Sequence, residues 1–399
     1  MSDYRARALV VVLVAVALAQ LNWYSLPALF PLMTAQLKFS VSELGIISAA
    51  FVIGFGFVQV PAGVVAAKVG LKPTVLAGAL LISVFSLLVA FASNPYEIAV
   101  MRLVAGAGMA LEYTPGMMLA IGLLRERTKS LGIGVYSAVG DVGGMVGLFG
   151  WGLVAALVGW RSSVLVSATM GVAFAVLLFL LLPSEPSDRS FQVKVSDLRQ
   201  VLLSKGVLVV SLALLGMECG WNAVVYFIVF YLETQLGVGV GISGLVGGLI
   251  LGGAILGALV MSRAYSRIQG SSLAFFLIGV ACASSVVLVS TGSLYGAALG
   301  TVVEGVLNGL AFTYALALVR KMVPVARYEA LGVAWATEIG IFGSFWSTLL
   351  FSFFVVHSGY PVAWSATSLV GVIFMLPLLL LRKAAAPPTP AANPGSEQT

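Results

Sequence analysis

Residues 206–232 read GVLVVSLALLGMECGWNAVVYFIVFYL, and a single carboxyl group, that of Glu218, lies near the middle of this apolar run. A helix needs about 20 predominantly apolar residues to cross the hydrocarbon core of a bilayer, so the run is long enough to span it. A charged side chain at the bilayer centre costs roughly 2.5–3.5 kcal/mol on insertion scales. The sequence therefore predicts a transmembrane helix that keeps a carboxyl group in spite of this cost.

The rest of the chain has the composition of a polytopic membrane protein. Of its 399 residues, 60% are hydrophobic and 9% are charged, and the mean hydropathy is +1.08, whereas a soluble domain is about 25% charged. Apolar runs of spanning length predict twelve transmembrane helices between residues 8 and 381. The first run resembles a signal peptide as far as VALAQ at 16–20, but its apolar character continues to Met33 and favours a transmembrane helix.

The basic residues fall on one side of the predicted membrane. If both termini lie in the cytoplasm, every Lys and Arg except Lys38, Arg102 and Arg161 falls in a cytoplasmic loop or tail, as the positive-inside rule requires. We therefore expect a multi-pass protein of the cell (inner or plasma) membrane. The net charge of +6 then belongs to loops that face the membrane surface and does not indicate nucleic-acid binding.

Two stretches suggest that the chain is duplicated. RTKSLGIGVYSAVGDVGG begins at Arg127, RYEALGVAWATEIGIFG begins at Arg327, and each opens a helix directly after a basic loop. Identical residues occupy matching positions in both: Arg127/Arg327, Leu131/Leu331, Gly132/Gly332, Gly140/Gly340 and Gly143/Gly343. We expect an N-terminal six-helix bundle at 1–183, a cytoplasmic linker at 184–205, a C-terminal six-helix bundle at 206–382 and a disordered tail at 383–399. Two such bundles related by an axis along the membrane normal form a known transporter plan.

Three motifs carry a resemblance to a known family. They are GVVAAKVGLKP at 63–73, RLVAGAGMA at 102–110, and GWRSSVLV at 159–166 between the fifth and sixth spans. With the 6+6 layout, they make the chain similar to the major facilitator superfamily over nearly its whole length. The resemblance implies an all-α fold of twelve transmembrane helices in two pseudo-symmetric six-helix bundles, with spans one, four, seven and ten around a central cavity. It also assigns five residues to gating or coupling: Gly63, Lys68, Gly70 and Lys72 to an inner gate, and Arg102 to proton coupling.

Each of these assignments has an alternative. Ala67 stands where the family's loop signature has an Asp, so the gate would lack one ion pair, and Lys68 and Lys72 would serve only as positive-inside anchors. Arg102 lies close enough to the start of its span to extend to the outer interface. Gly63 and Gly70 fit close helix packing and a tight turn in either case.

Five carboxyl groups lie within predicted spans, and no Lys or Arg lies comparably deep: Glu112, Asp141, Glu218, Glu304 and Glu338. Asn222 and Asn308 each follow a glutamate by four residues, so each amide shares a helix face with a carboxyl group. The first and seventh spans add further polar or aromatic groups at similar depth: Gln20, Asn22, Trp23, Tyr24 and Trp221. We expect these groups to converge on one water-accessible site, with Trp23 and Trp221 in its wall.

The buried carboxyl groups suggest a means of energy coupling. Removal from water and neighbouring carboxylates both favour the protonated form of a carboxyl group. A group that binds a proton in one access state and releases it in the other couples transport to the proton gradient. Glu218 is the first candidate for this role, followed by Glu112 and Glu304. Alternatively, each carboxyl group stays protonated and hydrogen-bonds a neighbouring helix, a role that is favoured for Asp141 and Glu338.

The sequence thus predicts a secondary active transporter that functions as a monomer and takes protons and a small organic solute as its partners. Acidic and aromatic groups favour a neutral, amphipathic or cationic solute, with cation–π contacts adding roughly 0.5–2 kcal/mol. Efflux and symport both remain open, because the fifth span lacks the proline of the family's antiporter element. The alternatives are a transporter-like sensor, an uncoupled facilitator, and proton-coupled uptake of a small organic anion.

Other classes of protein require residues that this sequence does not offer. An intramembrane aspartic protease needs two facing carboxylates, and the spans hold one aspartate, Asp141. The single histidine, His357, cannot supply a metal cluster, and Cys219 and Cys282 lie in apolar runs that do not suggest disulfides. No G-x-x-x-x-G-K-[ST] loop indicates an ATPase, and a channel would need a selectivity filter. We expect neither an enzyme nor a cofactor.

Overall fold

The computed structural model describes residues 3–124, 129–182, 200–268, 271–323 and 329–381. These residues form twelve long helices and no strand. The first six are α1 (Asp3–Leu37), α2 (Val41–Val69), α3 (Leu71–Val89), α4 (Pro95–Leu123), α5 (Lys129–Val158) and α6 (Trp160–Leu181). The second six are α7 (Lys205–Leu236), α8 (Val240–Ile268), α9 (Ser272–Ser285), α10 (Leu294–Met322), α11 (Glu329–Ser358) and α12 (Tyr360–Met375). Most of the predicted linker, the whole predicted tail, Arg127 and Arg327 lie outside the described residues.

The helices have the length and composition of membrane spans. Eleven of them are long and apolar enough to cross a bilayer. The twelfth, α4, is the exception because the sequence Glu112-Tyr113-Thr114-Pro115 in its middle lowers its hydropathy. The prediction of an all-α, twelve-helix membrane protein is therefore confirmed.

Local sequence explains where many of the helices begin and turn. Ser40 and Glu43 form a capping box at the start of α2, which satisfies free backbone donors of the first turn. Gly70, Gly159 and Gly359 each connect two helices through a single residue with a positive φ of 106°, 82° and 81°, a conformation that glycine adopts without a steric penalty. The tight turn expected at Gly70 is thus found, and Gly159 and Gly359 form the same turn in the two halves.

The twelve helices form two six-helix bundles with matching internal contacts. In the first bundle α1 packs on α5, α2 on α4, and α3 on α6. In the second bundle α7 packs on α11, α8 on α10, and α9 on α12. The bundles meet through α2 against α11, α5 against α8, and α1 against α7. This arrangement confirms the predicted pseudo-symmetric pair of bundles.

Two glycines predicted from the repeat allow close contacts between helices. A methyl group on Gly143 of α5 would overlap the backbone carbonyl of Ala17 in α1, and one on Gly343 of α11 would overlap that of Leu215 in α7. Small residues let membrane helices approach this closely. By contrast, a methyl group on Gly63 would meet nothing within 4 Å, so the close packing expected at Gly63 is wrong for this conformation.

Among the described residues, the apolar core that joins the bundles lies on one side. We call the side where α1 begins and α12 ends the basic side, because α2, α8 and α10 end there with basic residues. On the opposite side, one apolar core crosses both bundles and includes Phe30 and Met33 of α1 with Phe227 and Ile228 of α7. On the basic side each bundle has a core of its own. In the part of the chain that the structure describes, the bundles are therefore joined on the opposite side and have separate cores on the basic side.

Candidate functional site between the bundles

Glu218 lies at the centre of a small polar cluster on α7 and α11. Its Oε2 accepts a hydrogen bond from Asn222 Nδ2 at 2.8 Å and one from Ser344 Oγ at 3.2 Å. Asn222 Nδ2 also donates to Ser344 Oγ at 2.6 Å. Asn222 and Ser344 are buried, whereas Glu218 is only partly buried. The carboxyl group of Glu218 thus accepts hydrogen bonds from neutral donors and remains accessible. Asn222 lies on the same helix face as Glu218, as the sequence predicted.

An aromatic cluster closes the space between the bundles next to Glu218. Trp23 Nε1 of α1 donates to Tyr226 Oη of α7 at 2.7 Å. The ring of Trp23 stacks on Tyr24 at 5.4 Å and meets Phe55 edge-on at 5.2 Å. Tyr226 lies two turns beyond Glu218 along α7, toward the opposite side. The hydrogen bond therefore separates Glu218 from the opposite side of the molecule.

Asp141 and Glu338 come from α5 and α11, two of the helices through which the bundles meet. Asp141 is partly buried and lies within electrostatic range of Tyr24 and Tyr113. Glu338 is 6% exposed, and its Oε2 has no hydrogen-bond partner within the protein. Its Oε1 lies close to Gly56 of α2 in the facing bundle. Glu338 thus lies at the contact between the bundles, whereas Asp141 lies near aromatic rings of its own bundle.

Glu112 and Glu304 are sealed inside their own bundles. Glu112 has no exposed surface, and its Oε1 accepts a hydrogen bond from Tyr136 Oη of α5 at 3.5 Å. Glu304 has no exposed surface either, and its carboxyl group accepts from Ser285 Oγ at 2.5 Å and from Cys282 Sγ at 3.6 Å. The predicted convergence of three glutamates on one accessible site is therefore wrong for this conformation, in which Glu218 alone of the three is accessible.

Two amides also depart from the expected positions. Asn308 does not bond Glu304, and its Nδ2 has no partner within the protein. Asn22 points into the N-terminal bundle, where it lines a small space beside Arg102. Helix spacing puts Asn308 on one face with Glu304, but that face is turned to α9 of the same bundle.

Gln20 and Glu218 occupy equivalent places in the two bundles. Gly140 of α5 faces Gln20, and Gly340 of α11 faces Glu218. Trp23 and Trp221 are separated by the same number of residues as Gln20 and Glu218. Both tryptophans pack in or against the core that crosses the bundles. The second bundle therefore has a carboxyl group where the first has an amide.

Arg102 does not extend to the membrane interface. Its side chain is 2% exposed, Nη2 donates to the backbone carbonyl of Trp23 at 3.2 Å, and the guanidinium lies 3.9 Å from the centre of the Phe51 ring. The alternative in which Arg102 extends to the outer interface is wrong. The buried cation lies close to the Trp23 segment of α1.

The two lysines of the predicted gate differ in their contacts. Lys72 Nζ donates to the backbone carbonyl of Leu182 at 2.5 Å and lies over the Phe179 ring, so it ties α3 to α6 within one bundle. Lys68 is exposed. The basic loops at 125–128 and 324–328 lie outside the described residues, so a gate contact with them stays a prediction.

The sequence reasoning did not single out two serines of these clusters. Ser344 follows Gly343, which the repeat had singled out, and Ser285 follows Cys282 by three residues on α9. Serine is common in apolar spans because its hydroxyl can bond the backbone carbonyl four residues earlier. The residue type alone therefore did not mark either serine as part of the site. The position of Ser344 directly after Gly343, a glycine at a close helix contact, could have identified it.

Comparison with known proteins agrees with this architecture. The family described as "Major Facilitator Superfamily" matches residues 12–324. A methylenomycin A resistance protein of Bacillus subtilis is 25% identical over 200 residues, which are 50% of this chain and 42% of that protein. A gallate transporter of Pseudomonas putida is 32% identical over 147 residues, 36% of this chain and 32% of that protein. The chain thus matches less than half the length of each of these relatives.

A solved structure matches the whole fold. A bacterial homologue of the human lysosomal transporter Spinster, in an inward-facing and occupied conformation, superposes with a TM-score of 0.79 at 14% identity. The match covers 95% of this chain and 97% of that one. With twelve helices in two matching bundles and a family match over most of its length, the chain belongs to the Major Facilitator Superfamily.

Proposed function

We propose that the chain is a secondary active transporter that moves a small organic solute by alternating access and couples this movement to protons through Glu218. The observation that carries the proposal is the setting of the Glu218 carboxyl group. It is partly accessible between the bundles, and its hydrogen bonds come from neutral donors, Asn222 and Ser344. No Lys or Arg among the described residues forms an ion pair with it. A carboxyl group in such a setting can exist with or without its proton.

The same hydrogen bonds suggest how the proton affects the cluster. When ionised, the carboxylate accepts from both Asn222 and Ser344. When protonated, it has an O–H of its own to donate and one oxygen less able to accept. Loss of the proton therefore strengthens the link between α7 and α11. Both helices also contact the facing bundle, α7 through α1 and α11 through α2, so protonation at Glu218 would bias the access state.

The direction of access follows from the distribution of charge. We propose that the basic side faces the cytoplasm, in agreement with the positive-inside rule, so that the conformation described above is open to the cell interior. The protein would lie in the cell membrane with both termini in the cytoplasm and work as a monomer. The proposed boundaries remain 1–183 and 206–382 for the bundles, with 184–205 and 383–399 as linker and tail.

The site favours a solute that carries an aromatic or other apolar group. Trp23, Tyr24 and Tyr113 offer ring surfaces near the carboxyl groups of Asp141 and Glu218. Acidic groups and aromatic rings together suit a neutral, amphipathic or cationic molecule. The methylenomycin A resistance relative makes export of such a molecule reasonable.

A second candidate is a small aromatic acid taken up with a proton. The gallate transporter of Pseudomonas putida supports this candidate, since it has the higher identity of the two relatives described above. The site argues against it, because Arg102, the one buried arginine among the described residues, points into the N-terminal bundle. A carboxylate solute would need a cation from elsewhere or would have to bind in its neutral form.

The test is transport into proteoliposomes with an imposed pH gradient, an imposed sodium gradient or neither. The panel holds lipophilic cations, neutral aromatic compounds and aromatic carboxylates. We expect accumulation of one class, driven by the pH gradient and abolished by a protonophore. Glu218→Gln should lose this accumulation but keep solute exchange without a gradient.

Glu233→Gln is the matched control, because it makes the same change at the far end of α7. It should accumulate solute as the wild type does. Accumulation by Glu218→Gln at the wild-type level would overturn the assignment to Glu218. Binding without flux would indicate a sensor, and flux that never exceeds equilibrium would indicate an uncoupled facilitator.

A further inference from the structure

A small space inside the N-terminal bundle gathers polar groups that the proposed transport cycle does not use. It lies between α1, α3, α4 and α6 and is lined by Asn22, Ser25, Ser86, Arg102 and Ser167, with apolar residues completing the wall. The five polar residues are all buried. The space admits one body of about the size of a water molecule.

Three donors in this wall have no hydrogen-bond partner within the protein. They are Nε of Arg102, Oγ of Ser86 and Oγ of Ser167. The contrast with nearby serines is direct. One turn away on the same helices, Ser83 donates to the carbonyl of Ala79, and Ser163 donates to that of Gly159. Buried serines in helices usually bond in this way, so Ser86 and Ser167 have hydroxyl groups free for another acceptor.

The charge of Arg102 determines which acceptor fits best. Its Nη2 bonds a neutral carbonyl, and its guanidinium lies over the Phe51 ring. Among the described residues no carboxylate forms an ion pair with it. A buried charge without a counter-charge is costly, and buried charges in proteins are normally paired. A donor-lined space next to an unpaired cation therefore favours a monovalent anion over a neutral molecule.

We propose that this space binds one halide-sized anion, with chloride as the physiological species, held by Arg102 Nε and the hydroxyl groups of Ser86 and Ser167. Chloride is somewhat larger than water, so its binding requires the side chains around the space to move slightly apart while the two hydroxyl groups stay directed at the anion. The anion neutralises Arg102 and joins α3, α4 and α6 into one unit. This site is separate from Glu218 and does not depend on which solute is transported.

The experiment measures thermal unfolding of the purified protein in sodium chloride, sodium bromide and sodium gluconate at equal ionic strength. Binding to the folded state raises the melting temperature as the ligand concentration increases. We expect a saturable rise of about 2 °C or more in chloride and bromide relative to gluconate. The Ser86→Ala/Ser167→Ala variant should lose the rise, and the Ser83→Ala/Ser163→Ala variant, which removes two hydroxyls from the same helices, should keep it.

Crystals of the wild-type protein grown in bromide give a second measurement that needs no variant. An anomalous peak beside Arg102 Nε is expected. Equal melting temperatures of the wild type in chloride and gluconate, together with no bromide peak at Arg102, would show that water occupies the space and would overturn the proposal. A halide effect that the Ser86→Ala/Ser167→Ala variant retains would place the anion elsewhere and overturn it as well.

Discussion

The indole Nε1 of Trp23 and the phenol oxygen of Tyr226 lie 2.7 Å apart and form a hydrogen bond between the two bundles. Tyr226 is fully buried in the apolar core that joins the bundles on the side opposite the basic residues. Alternating access requires this core to separate while the basic side closes. In the proposed transport cycle the Trp23–Tyr226 hydrogen bond would therefore break once per turnover.

Tyr226→Phe is expected to favour opening on the side opposite the basic residues. The change removes one hydrogen bond, worth about 1 kcal/mol, and leaves the ring in place. A shift of this size changes the ratio of open to closed molecules about fivefold. Spin labels at Tyr96 and Tyr295, which are 64% and 87% exposed at the starts of α4 and α10, would report it as a larger population at long separation.

Tyr265→Phe is the control for this measurement. It also removes a phenol oxygen from a tyrosine, but the Tyr265 hydroxyl has no hydrogen-bond partner within the protein. Cys219 and Cys282 are 1% and 0% exposed, so they should not take up label. If Tyr226→Phe and Tyr265→Phe give the same distance distribution, the hydrogen bond does not contribute to closure.

Gly143→Ala and Gly343→Ala are expected to destabilise the two bundles to a similar extent. Each added methyl group meets a backbone carbonyl of the facing helix, which cannot move aside as a side chain can. Overpacking of this kind costs typically 1–3 kcal/mol. Thermal unfolding of the purified variants measures the effect. Gly134→Ala, on the same helix as Gly143 but with open space at its Cβ, should unfold as the wild type does.

Lys72→Met tests whether this lysine belongs to a gate or to its own bundle. Its ammonium group bonds the Leu182 carbonyl at 2.5 Å, so the substitution should weaken the contact of α3 with α6, by up to about 1 kcal/mol for one hydrogen bond at the surface. Thermal unfolding should then show a lower melting temperature, whereas Lys68→Met, at an exposed position, should not change it. A large loss of transport in both variants with no change in stability would support the gate.

The sequence was sufficient for the fold because each of its signals is local or periodic. Apolar runs marked the twelve helices, and the repeat marked Gly143 and Gly343, which the structure places at equivalent helix contacts. The side chains of the site were harder to place. A spacing of four residues puts Asn308 on one face with Glu304, but the spacing does not say which neighbour that face meets.

Glu218 and Glu304 illustrate this limit. Both lie deep in apolar spans, and each is followed by an asparagine four residues later. In the structure Glu218 faces the space between the bundles, whereas Glu304 faces Cys282 and Ser285 of α9. The rotation of each helix about its axis decides the difference, and this rotation depends on packing with helices that are distant in sequence.

Glu304→Gln therefore separates the two roles that a buried carboxyl group can have. Because Glu304 is sealed between α9 and α10, we expect the variant to keep accumulation driven by the pH gradient within about twofold, and to lose roughly 0.6 kcal/mol of stability, the average value of a hydrogen bond between membrane helices. Transport into proteoliposomes and thermal unfolding measure the two effects.

Ser285→Ala should lower stability similarly, because it removes the other partner of the same hydrogen bond. If Glu304→Gln abolishes proton-driven accumulation while Ser285→Ala does not, the carboxyl group of Glu304 takes part in coupling.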